Sequence, residues 1–387
     1  MTATTTADPI AAARSLGPKI RELAPAIDRD RQLPRELVEA MLDAGLFHIY
    51  LPKDYNGSEL DPVTAAKVVE EVSFFDGATG WCVMIAGQNA SFAGFLRPED
   101  AKAIWGPRDI VCGTARPIGR AVATNSPADG YMVSGRWPFA SGSSHATWFA
   151  GECVVYDGDT PRKDSAGNDV TRMTFFPRES AVVHDVWETT GLRGTASNDF
   201  SADNVFVPAG HGAAFFVDPV QHPYSLYKAF PLVFTNHGSQ ALGVGRAAVA
   251  EAREMASTKI GWGGVPLHSV LRMQSVIAEA TVLVESARTY LYSITQELWD
   301  EYQSGGDGTP VQRARLRLAT SHAARASIQA VDLLYTALAT SAIMRKSPLE
   351  RQFRDLHTAG AHVMVGQMTY EAAGRVELGR DPEFPFF

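Results

Sequence analysis

The segment Arg354-Asp355-Leu356-His357-Thr358-Ala359-Gly360-Ala361-His362 places two imidazoles, a carboxylate and a guanidinium just before a long uncharged stretch. Read as one helix, at about 100° per residue, it puts Asp355 and His362 on one face, with Thr358 a turn before His362 and His357 pointing away from both. Polar groups on one stripe of a buried helix are costly unless they are paired or used. Alone, the segment fits a structural helix with a satisfied histidine better than it fits a site. A second polar cluster far upstream, Trp137-Pro138-Phe139-Ala140-Ser141-Gly142-Ser143-Ser144-His145-Ala146-Thr147-Trp148, shifts the balance toward a site.

Composition bounds the reading. The 387 residues are 45% hydrophobic and 20% charged, which suits a globular chain with a large core. The net charge of −8 is spread along the chain, and the absence of a Lys/Arg-rich block argues against a nucleic-acid partner. Cys82, Cys112 and Cys153 lie far apart and read as small buried hydrophobes, not as a disulfide framework or a metal site, which fits a reducing cytoplasm. Residues 1–9 lack the basic start and apolar core of a signal peptide. No run of eighteen apolar residues exists that could span a membrane. The expected protein is cytoplasmic and metal-free.

The pattern changes character twice. Residues 1–108 read as helical: 34–45 opens on a proline and stops at Gly45, and 61–72 is a capped amphipathic segment behind Asp61. Across 109–225 the period becomes two, with strands expected at 110–113, 131–135, 148–156 and 172–176 and a turn at 127–130. Residues 226–387 return to alanine-rich helix, with long periodic stretches at 243–252, 273–288 and 311–326 and a Gly-rich loop from Ser304. The expected class is α+β, mostly α: an N-terminal helical domain, a central β-sandwich or barrel-like domain, and a C-terminal four-helix bundle. No βαβ alternation and no phosphate-loop glycine pattern occurs, so nothing here reads as able to bind NAD(P)H.

With these motifs the chain resembles the acyl-CoA dehydrogenase superfamily, and within it the oxygenase halves of two-component flavin-dependent monooxygenases. The resemblance runs from residue 33 to about 379. The Ser141-Gly142 strand with Trp148 looks like the family's flavin-lining strand, where a hydroxyl at Ser141 reaches the flavin N5 and Trp148 supports the ring site. The segment Gly113-Thr114-Ala115-Arg116-Pro117 is similar to the loop whose backbone meets the flavin's pyrimidine side, which implies cofactor contacts for Thr114, Ala115 and Pro117. The loop from Gly191 through Arg193 to Asp199 resembles the one closing the substrate side, and His362 falls where an imidazole meets the flavin C4a edge.

Two departures from the family pattern bear on function. Dehydrogenases of this fold need a carboxylate to take an α-proton. The usual position here is Val363, and the alternative segment, 226–240, holds no Asp or Glu. The resemblance therefore implies hydroxylation of an aromatic substrate through a C4a-hydroperoxyflavin, with dehydrogenation or N-oxygenation of an amine as alternatives. Phenol hydroxylases of the group tend to place a histidine eight residues after the tryptophan of Gly77-Ala-Thr-Gly80-Trp81, and here that residue is Asn89. Asparagine cannot act as a base near neutral pH, so the wording fits indoles or other electron-rich fused rings better than phenols. The implied roles are His362, Ser141 and Asn89 in catalysis, and Trp81, Asn89, His237 and Arg193 at the substrate. The implied cofactors are reduced FAD or FMN from a separate reductase, with O2, in a homotetramer. His145 reads as structural, and Trp262 as an interface or loop residue.

Overall fold

The computed structural model describes residues 8–126, 128–215, 217–261, 263–384 and 387. Residues 1–7, Pro127 of the expected turn and Trp262 lie outside them. Five helices come first: α1 (Pro9–Asp30), α2 (Arg35–Asp43), α3 (Pro62–Phe75), α4 (Gly77–Ala90) and α5 (Pro98–Ile104). Each start has a local cause. Asp8 and Asp61 accept N-terminal backbone N–H groups of α1 and α3, with proline at the first position of each helix. Asp76 caps α4 through Thr79 N (2.9 Å) and Thr79 Oγ1 (2.8 Å). Helix α1 buries Ala13, Gly17, Ile20, Ala24 and Ile27, a stripe at helical spacing. Helix α4 differs, because nearly every residue in it is buried. It is the spine of the N-terminal part.

The central strands are β1 (Val111–Thr124), β2 (Gly130–Ala140), β3 (Trp148–Asp157), β4 (Thr160–Pro161), β5 (Thr171–Pro177), β6 (Val182–His184), β7 (Asn198–Pro208) and β8 (Gly212–Ala213). They form one sheet in the order β6-β7-β2-β1-β3-β5-β8, with β4 on β3; only β1 and β3 pair in parallel. In a flat sheet β5 and β7 would stand four strand spacings apart, roughly 19 Å. Instead Phe176 of β5 and Phe200 of β7 have ring centroids 6.1 Å apart, and Trp137 and Phe149 both stack on Phe200. The sheet therefore curls round an aromatic core, which is the barrel-like form expected. Its pairing breaks at one place that matters below. Between Thr114 and Gly119 the β1–β3 register slips, and Ala115, Arg116, Pro117 and Ile118 bulge out exposed.

The remaining helices are α6 (Ser225–Lys228), α7 (Asn236–Thr258), α8 (Leu271–Gln303), α9 (Pro310–Leu338), α10 (Pro348–Gly360) and α11 (Gln367–Glu377). Thr309 and Gln312 close a reciprocal capping box at the start of α9. The bundle is joined to the first helices through Glu70 of α3, 1% exposed, which binds Arg246 of α7 and both Arg288 (2.9 Å) and Tyr292 of α8. Burying that carboxylate is tolerable only because three donors surround it. Removing one would leave the others unbalanced.

One expectation fails here. His362 is not on the same helix as Asp355, because α10 ends at Gly360. His362 instead caps the following 3₁₀ turn, its side chain accepting the Met364 N–H at 3.3 Å. Glycine and the β-branched Val363 weaken helix continuation at this point, and the capping bond takes over. Asp355 faces elsewhere and accepts the Leu192 N–H at 2.6 Å.

Candidate active site

One cavity of about 820 Å³ opens between the sheet, α4, the start of α7 and the end of α10. That volume falls in the range of small-molecule and cofactor sites. Its walls divide in two. The apolar end is built by Ile85, Phe92, Phe215, Phe230 and Met173, and there Phe92 and Phe215 stack at 3.8 Å. The polar end carries Trp81, Ser141, Ser197, His237 and His362. Among the described residues no Asp or Glu lines it, and Arg116 is the one arginine or lysine that does.

Trp81 organises the polar end. Its Nε1–H donates to Ser141 Oγ at 3.0 Å, while its ring meets those of His362 and His237 edge-on at 5.4 and 5.6 Å. Ser141 Oγ lies 2.8 Å from Ser197 Oγ, which lies 2.7 Å from Thr195 Oγ1; Thr195 donates to the Leu192 carbonyl at 2.8 Å. The two histidine rings stack at 4.5 Å. Burial drives the His362 pKa down to about 4, and burial, helped by His362 beside it, holds His237 well below its usual range. Both are neutral at neutral pH. Because His362 Nδ1 accepts from Met364, its proton sits on Nε2, which is a donor. Gln88 Nε2 donates to the Val233 carbonyl (3.1 Å) and lies 3.3 Å from His237 Nδ1, so the amide steadies that ring. Asn89 lines the cavity with one N–H of its amide held by the Ile85 carbonyl at 2.9 Å, which leaves its second N–H and its carbonyl oxygen for a ligand.

The structure thus gathers Trp81, Asn89, Thr114, Ala115, Ser141, His237 and His362 round one space. Others named from the sequence stand apart. Arg193 corrects its expectation: it donates to the Asp28 and Thr189 carbonyls and lies off the cavity wall. An unpaired arginine would be costly on this partly buried loop, and α1 supplies the partner. Pro117, Gly142 and Trp148 are also absent from the wall; Trp148 packs edge-on against His211 at 5.8 Å. His145 packs on Phe47 at 5.5 Å, outside the cavity. Residues not singled out from the sequence join in: Gln88, Ser197, Trp187 and Phe139. Phe139 is 61% exposed at a positive φ of 66°, within a break in the β2–β7 register, and Trp187 meets it edge-on at 6.3 Å. An exposed, strained aromatic is a signal only coordinates give.

The wall fits a flavin. Thr114, Ala115 and Arg116 line the cavity; Thr114 is the last β1–β3 pair before the register breaks, and Ala115 and Arg116 lie in the break, so their N–H and C=O groups are free of ladder duty toward β3. Such groups suit the alternating donors and acceptors of a pyrimidine edge. Ser141 lines the same cavity with its hydroxyl.

Family models for the acyl-CoA dehydrogenase N-terminal domain and C-terminal domain match residues 11–97 and 235–367. The chain belongs to the acyl-CoA dehydrogenase superfamily. It is 29% identical to an indole-3-acetate monooxygenase of Pseudomonas putida, over 92% of this chain and 90% of that protein. It is also 29% identical to the flavin-dependent monooxygenase oxygenase subunit HsaA of Mycobacterium tuberculosis, over 96% of each. Among solved structures, XiaF from Streptomyces sp., in complex with FADH2 and glycerol, shares the fold with a TM-score of 0.88 at 22% identity, over 98% of this chain and 97% of that one.

Proposed function

We propose that this chain is the oxygenase component of a two-component flavin-dependent monooxygenase that hydroxylates an electron-rich aromatic ring, indole-like in the first instance. The observation that carries the reading is the chemistry of the cavity wall: aromatic and apolar side chains, two neutral histidines and several hydroxyls, Ser141 among them, without a carboxylate among the described residues. Dehydrogenases of this fold take the α-proton with a carboxylate, and among the described residues this wall carries none. Val363, at the expected base position, lines the cavity half-exposed. The relatives above, named for oxygenation of indole-3-acetate and for an oxygenase subunit, support the same class.

Reduced flavin, FAD or FMN, supplies the electrons that activate O2 when it is bound. The backbone of 114–116 would hold its pyrimidine edge, and Ser141 would meet N5. His362, neutral and bearing its proton on Nε2, would donate that proton to oxygen bound in the cavity and would recover it as product forms. Trp81, Asn89 and His237 orient the ring, and Phe92, Phe215 and Phe230 exclude water from the reacting oxygen. The reductase is a separate protein, since no dinucleotide motif occurs in this chain. A homotetramer built through the C-terminal helices completes the reading, and Leu271, Val282, Ile343 and Met344, all at least half exposed, support it. Among the described residues no helix is long and apolar enough to cross a membrane, in keeping with a cytoplasmic home.

The test is reconstitution. Purified chain, a flavin reductase, NADH, flavin, O2 and indole-3-acetate or indole should yield hydroxylated product, whereas the chain without reductase should not oxidise NADH or NADPH. Steady reduction of an artificial acceptor by any acyl-CoA would overturn the proposal.

A further inference from the structure

Four polar groups run in single file beside the cavity: Trp81 Nε1, Ser141 Oγ, Ser197 Oγ and Thr195 Oγ1. Each hydroxyl has one proton to give and two lone pairs, and an indole can only donate. The direction of donation can therefore be counted. Trp81 gives to Ser141, and at the far end Thr195 gives to the Leu192 carbonyl. Thr195 has then only lone pairs for Ser197, so Ser197 donates to Thr195. By the same count Ser141 donates to Ser197. In this direction every proton has an acceptor within the protein. Ser141 keeps one open lone pair and no free proton. The reverse direction strands the Ser141 proton at a position 6% exposed, which a buried donor avoids.

We propose that Ser197 and Thr195 are positioning residues that hold Ser141 as a hydrogen-bond acceptor, so that the site selects reduced flavin, whose N5 carries a hydrogen, over oxidised flavin, whose N5 presents a lone pair. The proposal rests on the reading that Ser141 faces N5. Accepting oxidised flavin requires all three hydroxyls to turn round together and the Thr195–Leu192 bond to break. The Leu192 carbonyl retains the Trp187 Nε1–H (3.0 Å) and Thr195 N–H (3.1 Å) as donors, so the reversal is costly without being forbidden. An oxygenase fed by a separate reductase meets both redox forms in the same solution, and a polarised hydroxyl lets it sort them before oxygen arrives.

The experiment measures Kd for oxidised flavin in air and for dithionite-reduced flavin under anaerobic conditions. Both are read by protein fluorescence on wild type, Ser141→Ala, Ser197→Ala, Ser197→Thr and Thr195→Val. In Ser197→Ala the Ser141 proton is freed, and the preference for reduced flavin should contract by about tenfold, the worth of one hydrogen bond. Thr195→Val, close to isosteric, should contract it at least as far, because Ser197 then gives its proton to Ser141. Ser197→Thr keeps the hydroxyl and should restore the wild-type ratio, which a packing defect would not do. An unchanged ratio in Ser197→Ala and Thr195→Val, with reduced-flavin binding weakened in Ser141→Ala, overturns the relay and leaves the flavin site standing. If Ser141→Ala alters neither affinity, the placement of flavin is itself wrong and the relay falls with it. Should Ser197→Ala fail to fold, Thr195→Val decides.

Discussion

Gly191→Ala tests how closely the two halves of the cavity are stitched. A methyl at Gly191 would lie 2.1 Å from the Arg354 carbonyl oxygen and 2.3 Å from its carbon, and ordinary contact begins near 3.4 Å. Both obstacles are backbone, so no side chain can swing aside. The loop around Leu192 or helix α10 must retreat by about 1 Å. That movement stretches the 2.6 Å bond from Leu192 N–H to Asp355. Overpacking of this kind costs about 1–3 kcal/mol, and a strained bond to a carboxyl adds about 1–2 kcal/mol. We expect about 2–5 kcal/mol lost in urea unfolding. Ser197 follows the loop and His362 follows α10, so their spacing across the cavity changes as well. A displacement near 1 Å can cost about a hundredfold in rate, which should appear as less product and more H2O2 per NADH consumed. Gly374→Ala in α11 is the control: its methyl meets nothing within 4 Å, and it should gain about 0.5–1 kcal/mol. Wild-type stability and coupling in Gly191→Ala would refute the account of this junction.

Burial, then the nearby Asp76 carboxylate, pushes the Asp355 carboxyl from 3.8 up to about 7, against lowering by the Leu192 N–H, Arg351 and Arg354. Its folded pKa lies above its unfolded one, so stability is highest below pH 4 as far as this group is concerned, falls as pH rises toward 7, and is flat beyond. Asp355→Asn keeps an acceptor and removes that slope, so its stability relative to wild type should rise between pH 5 and pH 8 by a few kcal/mol at most, on the order of 1.4 per pH unit; a constant difference in paired urea titrations counts against a buried proton at Asp355. His362→Ala should bind reduced flavin yet lose coupling by about tenfold or more, as expected for a lost hydrogen bond to a polar oxygen. His357→Ala, which breaks an exposed contact to Asp332 and a ring contact with Phe353, should leave coupling alone, and equal product yields from the two variants would make His362 structural. With its pKa near 4, His362 should add no break to the coupling profile between pH 6 and 8, and a break there that disappears in His362→Ala would contradict its neutral state.

Most of the fold is legible in the sequence because its signals are local. Asp61-Pro62 and Pro34 near Gly45 mark helix ends, and alternation marks the strands at 131–135 and 148–156, all seen in the structure. The curl of the sheet is not local. It depends on Phe176 of β5 meeting Trp137 and Phe200, which stand on strands distant from it in the sheet order. The site divides in the same way. Trp81, Ser141 and His362 stand out by motif, but the helix end at Gly360 is set by competition between a side-chain cap and one more helical turn, which periodicity cannot decide. Arg193 looked like a substrate ligand because nothing in the sequence reveals that Asp28, far upstream, lies beside it. Ser197 lies in the 191–199 loop and Gln88 beside Asn89, but nothing in either residue itself marks it for the site, and their importance arises from whom they touch.

Helix α4 has one more consequence. It is buried on nearly every side, and from it Trp81, Ile85, Gln88 and Asn89 all look into the cavity. At 1.5 Å per residue, Trp81 and Gln88 are separated by about 10 Å along its axis. A rod gripped on all sides cannot slide or bend to suit its guest, so it works as a gauge with fixed graduations. On this face of the cavity, a ring system long enough to pass Gln88 meets the side chains at 85, 88 and 89. Divergence in substrate length can therefore proceed by exchanging those few marks, while the rod and the oxygen chemistry at its other end stay as they are.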